Sequence, residues 1–469
     1  MVYDRVPEAT EALDRLRSEV GGEYIAPGDP DYDEARAVWN GMIDRYPLAI
    51  VRAASTDDVA PVLRAVRETG LPLAVRGGGH SVSGHSTVDD GIVLDLGGLR
   101  EVTVDPETRL VTAAPGARAA DVDAATAPHG LAVPLGTVSE PGIAGMALGG
   151  GVGWLVRKAG LTLDALERAE VMTANGTAVT ASAEEHRDLF WGLRGGGGNF
   201  GVVTSFTLRA VAMPETVFGS SLFYRRPSWR RALVAFERWS RDLPDDLGTI
   251  LQITTPPQVV DDGADPWLII HSVWLGEDHE LGEQHLERLA HAAPPDDAVS
   301  GPVSWPAWQG ARDDLLPTGS RGVWRNVSFS HLDEDALDLL FDVADALPST
   351  STELEIRHLG GAFARVAEDA TAFPHRAARF MLSLHAMWDD PAEDAERTGL
   401  VERARAAIQR LEQGERAGEY VNMRALEHTR PVAELSRDAY GEETYRRLQH
   451  VKQVYDPGNM FRQNYNIAP

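Results

Sequence analysis

Three glycines followed by a histidine, Gly77-Gly78-Gly79-His80, are the residues of this chain best suited to hold and react with a ligand. Without side chains, the three positions tolerate positive φ, and their amides can form a concave nest for a phosphate. The imidazole of His80 would sit beside whatever the loop holds. The loop runs on through Ser81, Gly84 and His85 and is preceded by Arg76. The same residues also read as a glycine-rich turn with a surface histidine. A further reading takes His80 and His85, with Asp89 and Asp90, as metal ligands. Five-residue spacing in a loop is a weak ligand pattern, and another ligand must come from elsewhere.

Two more glycine clusters follow. One holds Gly142, Gly145, Gly149, Gly150, Gly151 and Gly153; the other is Gly195–Gly198 with Asn199 after it. Neither cluster nor the first loop fits G-x-G-x-x-G between a strand and a helix, and no Walker sequence is present. No G-x-S-x-G elbow marks a serine hydrolase. There is no cysteine, which removes disulfides, thiolate nucleophiles and cysteine-bound metals. The net charge of −27 argues against binding nucleic acid or an anionic membrane. A bound phosphate must therefore rely on main-chain amides and a few local arginines. No apolar run of ~18 residues is present to span a membrane. The first residues are acidic and lack a signal pattern, so the expected location is the cytoplasm. Lys158 and Lys452 are the only lysines, a usage that fits a bacterial genome of high GC content.

Short strands must position these loops. A strand at 48–52, a helix opened by Ser55 and stopped by Gly70, and a strand at 72–75 lead into the first loop. Strands follow at 92–96, 101–104 and 110–113, with a helix at 117–127. Asn175-Gly176 marks a hairpin, and a strand at 201–211 leaves the third cluster. After Met213-Pro214 the texture changes. Aromatic strands at 218–224, 267–274 and 380–388 alternate with helices at 229–241, 280–291, 335–346 and 391–413. That pattern predicts a mixed or antiparallel sheet with helices on one face. Glu353, Glu355 and Arg357 alternate, so a strand points all three to one face. That face is either a pocket wall or solvated. The apolar end, after a helix from Tyr440, is expected to dock. At 469 residues the chain is long enough for more than one domain.

Five stretches together resemble the berberine-bridge-enzyme-like FAD-linked oxidases of the vanillyl-alcohol-oxidase superfamily. They are RGGGHSVSG (Arg76–Gly84), GIAGMALGGGVGWLVRKAGLTLD (Gly142–Asp164), LFWGLRGGGGNFGVVTSF (Leu189–Phe206), FPHR (Phe373–Arg376), and YVN (Tyr420–Asn422) with YDPGNMFRQNYNI (Tyr455–Ile467). The resemblance implies an α+β fold: a two-subdomain PCMH-type FAD-binding domain, plus a substrate domain with an antiparallel sheet covered by helices. The implied division is a helical segment at 1–42, the FAD domain at 43–213, the substrate domain at 214–425, and a segment at 426–469 returning to the FAD domain. It implies FAD bound through one covalent bond from His80. Arg76, Gly77, Gly78, Gly79, Ser81, Gly84 and His85 would surround that attachment. Val138, Pro141, Gly142, Gly145, Gly150, Gly151, Asn199, Gly201, Val203, Asn464 and Tyr465 would lie along the cofactor. Many relatives carry a cysteine where this chain has Val138, and a valine cannot make the second flavin bond. Pro141 falls where the family governs the approach of O2. A small apolar residue there goes with oxidase behaviour.

The implied enzyme is an FAD-linked oxidase. It would take a hydride from a carbon bearing oxygen or nitrogen, give it to the flavin, and form hydrogen peroxide from O2. The partners are a small-molecule substrate and O2. Candidate catalytic residues are Tyr420, Tyr465 and Glu355. A phenol near pKa ~10 needs a cationic neighbour to ionise at neutral pH, and Arg357 or Arg462 could serve. Trp274, Met387 and Trp388 are candidate apolar walls, although aromatic residues in strands more often belong to the core. A dehydrogenase or oxidative cyclase with poor O2 reactivity, a metal hydrolase on His80 and His85, and a non-catalytic binding protein are the other readings.

Overall fold

Ser55 opens the helical segment that precedes the first glycine loop by accepting a hydrogen bond from the Asp57 amide, and Gly70, at φ 70°, ends it. The helix Val59–Thr69 buries Val59, Val62, Leu63 and Val66 against a four-stranded sheet. In the computed structural model, which describes residues 6–255, 265–346, 352–412, 419–425 and 430–469, that sheet has the order Glu23–Ile25, Ala49–Arg52, Ile92–Asp95, Leu73–Arg76. Residues 1–5 and Gln413, the last residue of one expected helix, lie outside the described residues. The last three strands run parallel, and the fourth delivers the chain straight into Gly77.

A five-stranded antiparallel sheet follows, in the order Val102–Asp105, Leu110–Ala113, Val202–Arg209, Leu166–Met172, Ala178–Ser182. Asn175-Gly176 turns its last hairpin, with Gly176 at φ 84°. The glycine-dense stretch holds a short helix, Ile143–Gly149, where the sequence pattern shows only close packing.

The third sheet has seven antiparallel strands, in the order Asp297–Ser304, Thr216–Tyr224, Trp267–Trp274, Leu247–Thr254, Thr352–His358, Phe380–Trp388, Arg321–Phe329. Its first, fourth and seventh strands are additions to the sequence reading. Asp297–Ser304 is an exposed edge carrying Gly301 and Pro302, and proline is tolerated on an edge. Arg321–Phe329 buries Arg325 and Asn326, which mask its apolar pattern. Helices Trp229–Trp239, His279–Ala292, Glu334–Ala346 and Asp394–Ile408 cover one face, and Leu251, Leu354, Ile356, Leu382 and Leu384 point to them. The alternate residues point the other way, to a cavity.

That alternation corrects the proposed apolar walls. Trp388 faces the helices and donates to Asp394 at 2.7 Å, while Trp274 stacks on His285 of a covering helix. Only Met387 of the three reaches the cavity.

The C-terminal residues dock. Tyr445, Leu448 and Val451 of the helix Glu442–Tyr455 join Leu189, Phe190 and Phe200 in one core, and Phe461, Tyr465 and Ile467 are buried beyond it. The Lys452 ammonium lies fully buried against Asp456 at 2.7 Å and donates to the carbonyls of Asn199 and Phe461. The third glycine cluster is thereby tied to the tail. No helix among the described residues is long and apolar enough to cross a membrane.

Candidate active site

A cavity of about 540 Å³ lies between the glycine segments and the open face of the seven-stranded sheet. Its glycine-lined side exists because two backbones touch. A Cβ on Gly78 would stand 2.3 Å from the Gly142 nitrogen, and one on Gly142 would stand 2.5 Å from the Gly78 nitrogen. The first loop and the second cluster can meet only as glycine against glycine. Elsewhere the absent side chain leaves cavity. Gly145, Gly197 and Gly198 have nothing within 4 Å of an added Cβ, so a flat ring or a diphosphate can lie on main chain there.

His80 enters this space from Leu73–Arg76 through the loop. Its ring stacks on Trp39, with centroids 4.5 Å and planes 19° apart. Nε2 is buried with no hydrogen-bond partner among the described residues. Burial pushes the imidazole down to about 4, so it is neutral at physiological pH and keeps a lone pair. His85 Nε2 is buried and unpartnered among the described residues too; the ring lies edge-on to Tyr465 at 5.3 Å and is likewise pushed down to about 4 by burial. No group of three or more His, Asp or Glu among the described residues could hold a metal ion.

The two candidate tyrosines differ in the direction of their hydrogen bonds. The Tyr420 oxygen accepts from the Gly151 amide at 2.8 Å and from Asn422 Nδ2 at 3.1 Å. Burial raises its pKa; those two bonds and the Arg357 charge act in the opposite direction. Tyr465 instead donates to the Arg424 carbonyl at 2.7 Å, and burial pushes it up to about 12. A hydroxyl held as a donor to a carbonyl loses that bond on ionising, so Tyr420 has the environment for a proton acceptor and Tyr465 does not.

The sheet wall is ionic. Arg312 donates to Glu355 at 2.6 Å and to Glu353 at 2.9 Å, and Arg357 pairs with Glu355 at 2.6 Å. Burial alone would raise Glu355, but Arg357 and Arg312 outweigh it and hold the carboxylate well below its usual range. Burial raises Glu353, which also accepts from Gln252 at 2.6 Å. The alternating strand therefore faces a pocket rather than solvent. A carboxylate gripped by two arginines is a poor base, which counts against Glu355 in that role.

Two family models match parts of the chain: "FAD binding domain" over residues 47–182 and "Berberine and berberine like" over residues 419–468. An uncharacterized FAD-linked oxidoreductase of Bacillus subtilis, YgaK, is 32% identical over 465 residues, covering 97% of this chain and 98% of the relative. The chain belongs to the berberine-bridge-like FAD-linked oxidoreductases. The (R)-6-hydroxynicotine oxidase of Paenarthrobacter nicotinovorans is 30% identical over 467 residues, 96% of this chain and 97% of that one. The solved 6-hydroxy-D-nicotine oxidase of Arthrobacter nicotinovorans superposes with TM-score 0.85 at 27% identity, covering 96% and 98% of the two chains. Glucooligosaccharide oxidase from Acremonium strictum shares the fold at TM-score 0.86 and 22% identity.

In this FAD-linked oxidoreductase the cavity is lined by Gly77–Ser81, His85, Val138, Pro141, Gly142, Gly145, Gly151, Asn199, Gly201, Val203, Asn464 and Tyr465, all named from the sequence. Three residues named with them lie behind the wall. Arg76 is buried under the loop, donating to the carbonyls of Ser86 and Ala35. Gly84, at φ 71°, makes room for Ile43, and a Cβ on Gly150 would stand 2.5 Å from the Tyr420 ring. Trp39, Arg312, His385 and Asn422 were missed as site residues. Asn422 stood inside the quoted YVN, but the other three carry no local signal.

The glycines make a paired test. Gly78→Ala is expected to cost about 1–3 kcal/mol, the range for overpacking, and so to lower the melting temperature. Gly145→Ala is expected to keep the melting temperature and to lower FAD content, because its methyl enters the cavity. Equal melting temperatures for Gly78→Ala and the parent would contradict the backbone contact.

Proposed function

We propose that the chain oxidises a C–OH or C–N substrate, with FAD attached through His80 alone and O2 as electron acceptor. The residues fit the cofactor: an unpartnered buried imidazole nitrogen sits in the same cavity as open glycine main chain. Val138 lines that cavity and offers no sulfur for a second link. FAD, when bound, accepts a hydride and passes the electron pair to O2, giving hydrogen peroxide.

The chain's own part begins with the proton. Tyr420 takes it from the substrate heteroatom as the carbon–hydrogen bond breaks, leaving a carbonyl or imine product. The observation carrying this reading is the pair of hydrogen bonds that Tyr420 accepts from Gly151 and Asn422. Bonds donated to an oxygen favour its anionic form, and Arg357 adds a positive charge nearby. Tyr465, His85 and Asn464 are assigned to packing around the cofactor, and Glu355 to holding the wall. Loop Gly77–Ser81 is assigned to the diphosphate. Pro141, without an N–H, leaves the O2 approach apolar. The division at 43–213, 214–425 and 426–469 is the domain assignment that goes with this function.

Acid precipitation of the holoenzyme is expected to leave the yellow colour in the pellet, and His80→Ala to release it to the supernatant. Free flavin from the unaltered protein would refute the covalent bond.

Tyr420→Phe is expected to slow anaerobic flavin reduction by ~10²-fold or more, with the oxidised spectrum kept. Because burial raises the phenol's pKa, reduction by the parent should accelerate as pH rises, and the variant should lose that slope. A parent rate indifferent to pH would remove Tyr420 from the role.

Stopped-flow mixing of substrate-reduced enzyme with air-saturated buffer should show reoxidation within seconds, with peroxide formed in step. Reoxidation over many minutes, beside fast turnover with an artificial acceptor, would identify a dehydrogenase.

A further inference from the structure

Arg357 is 3% exposed, yet its donors are poorly used. Nη2 pairs with Glu355 and donates to the Thr137 hydroxyl at 3.4 Å, Nη1 is spent on the Met423 thioether at 3.0 Å, and Nε has no partner among the described residues. A thioether is a weak acceptor. Three more cavity-lining nitrogens on this wall are buried without partners among the described residues: Arg312 Nε, Trp324 Nε1 and His385 Nε2. Strand pairing sets Trp324 opposite His385, and His385 opposite Glu353. Their rings lie 4.7 Å apart, so these groups form one surface.

The carboxylates of the same wall are already paired with arginines. Glu355 is held by Arg312 and Arg357, and Glu353 by Arg312 and Gln252. The remaining Gln252 oxygen lies 2.7 Å from His271. An ammonium group would have to compete with Arg312 and Arg357 for either carboxylate. An anionic oxygen group would find N–H donors, one from a guanidinium whose fork matches a carboxylate in geometry.

We infer that this wall binds a carboxylate, so that the substrate class is carboxylate-bearing alcohols rather than free amines. This rests on the flavin reading above and deepens it. The hydroxyl-bearing carbon of such a substrate would lie toward Tyr420, with the carboxylate toward Arg357.

Two aromatic probes of opposite charge test the inference: benzoate and benzylamine, each titrated into the holoenzyme while the visible flavin spectrum is recorded. Benzoate is expected to shift the spectrum saturably and to bind at least about tenfold more tightly than benzylamine, a difference of 1.4 kcal/mol. Arg357→Met should weaken benzoate by about tenfold or more, the scale of one lost charge-assisted contact, with little effect on benzylamine. If Arg357→Met loses its flavin, Arg357→Lys replaces it. That variant keeps the charge without the fork and should still weaken benzoate measurably. Benzylamine binding as tightly as benzoate, no shift with benzoate at millimolar concentration, or an unchanged benzoate affinity in the variant would each overturn the inference. Failure of the underlying reading is seen separately, as a protein without a flavin band before any probe is added.

Discussion

Gly78 against Gly142 is the contact on which the rest of the site depends. Each residue occupies the space where the other's Cβ would stand, so the two segments approach to main-chain distance. That approach sets the height of the first loop over the second cluster and the position of His80. The same economy recurs where the second cluster meets the YVN segment. A Cβ on Gly149 would strike Asn422, and one on Gly150 would strike Tyr420. The amide of the next residue, Gly151, then donates to the Tyr420 oxygen. The first loop and Tyr420, the proposed proton acceptor, are thus positioned by one glycine-rich strip of backbone.

The sheet wall works on a different principle. Its charges are buried, and a buried ion is tolerated only when paired and hydrogen-bonded. Glu355 satisfies that condition for Arg312 and Arg357 together, and Gln252 and His271 extend the chain of bonds behind Glu353. The carboxylates serve to carry the arginines into the interior. A glutamate on such a strand looks catalytic in sequence, but its partners make it part of a scaffold for guanidinium groups.

The contrast between these two regions explains what was legible beforehand. Glycine clusters, Asn175-Gly176, Ser55 and Gly70 act through local backbone geometry, so their positions in the chain state their effects. The alternation of Glu353, Glu355 and Arg357 was legible for the same reason, since one strand suffices to place them on a face. What one strand cannot state is who faces it. Arg312 comes from a loop forty-one residues before Glu353, and Trp39 reaches His80 from a segment that precedes every glycine cluster. The choice between Tyr420 and Tyr465 was equally out of reach. Both are buried tyrosines beside the cavity, and they differ only in whether the oxygen accepts or donates, which depends on atoms brought in by the fold. Trp274 and Trp388 were misjudged because the side of the sheet that a residue faces follows from register, and register needs the neighbouring strands.

The short segment carrying Trp39, Asn40 and Gly41 links parts that the chain otherwise keeps far apart. Trp39 takes a main-chain bond to Gly79 of the cofactor loop and sends its indole N–H to Leu316. Asn40 donates to Val82 on one side and to Gly322 on the other, each at 2.9 Å, from a position 2% exposed. Gly41 bonds to Ser320 and lies against Gly319 with no room for a side chain. The first glycine loop and the last strand of the large sheet therefore cannot separate without stripping one small linker of all these bonds at once. In hydrogen exchange, amides of the loop and of that strand should be protected together as one cooperative unit, because local opening of either exposes the same buried asparagine.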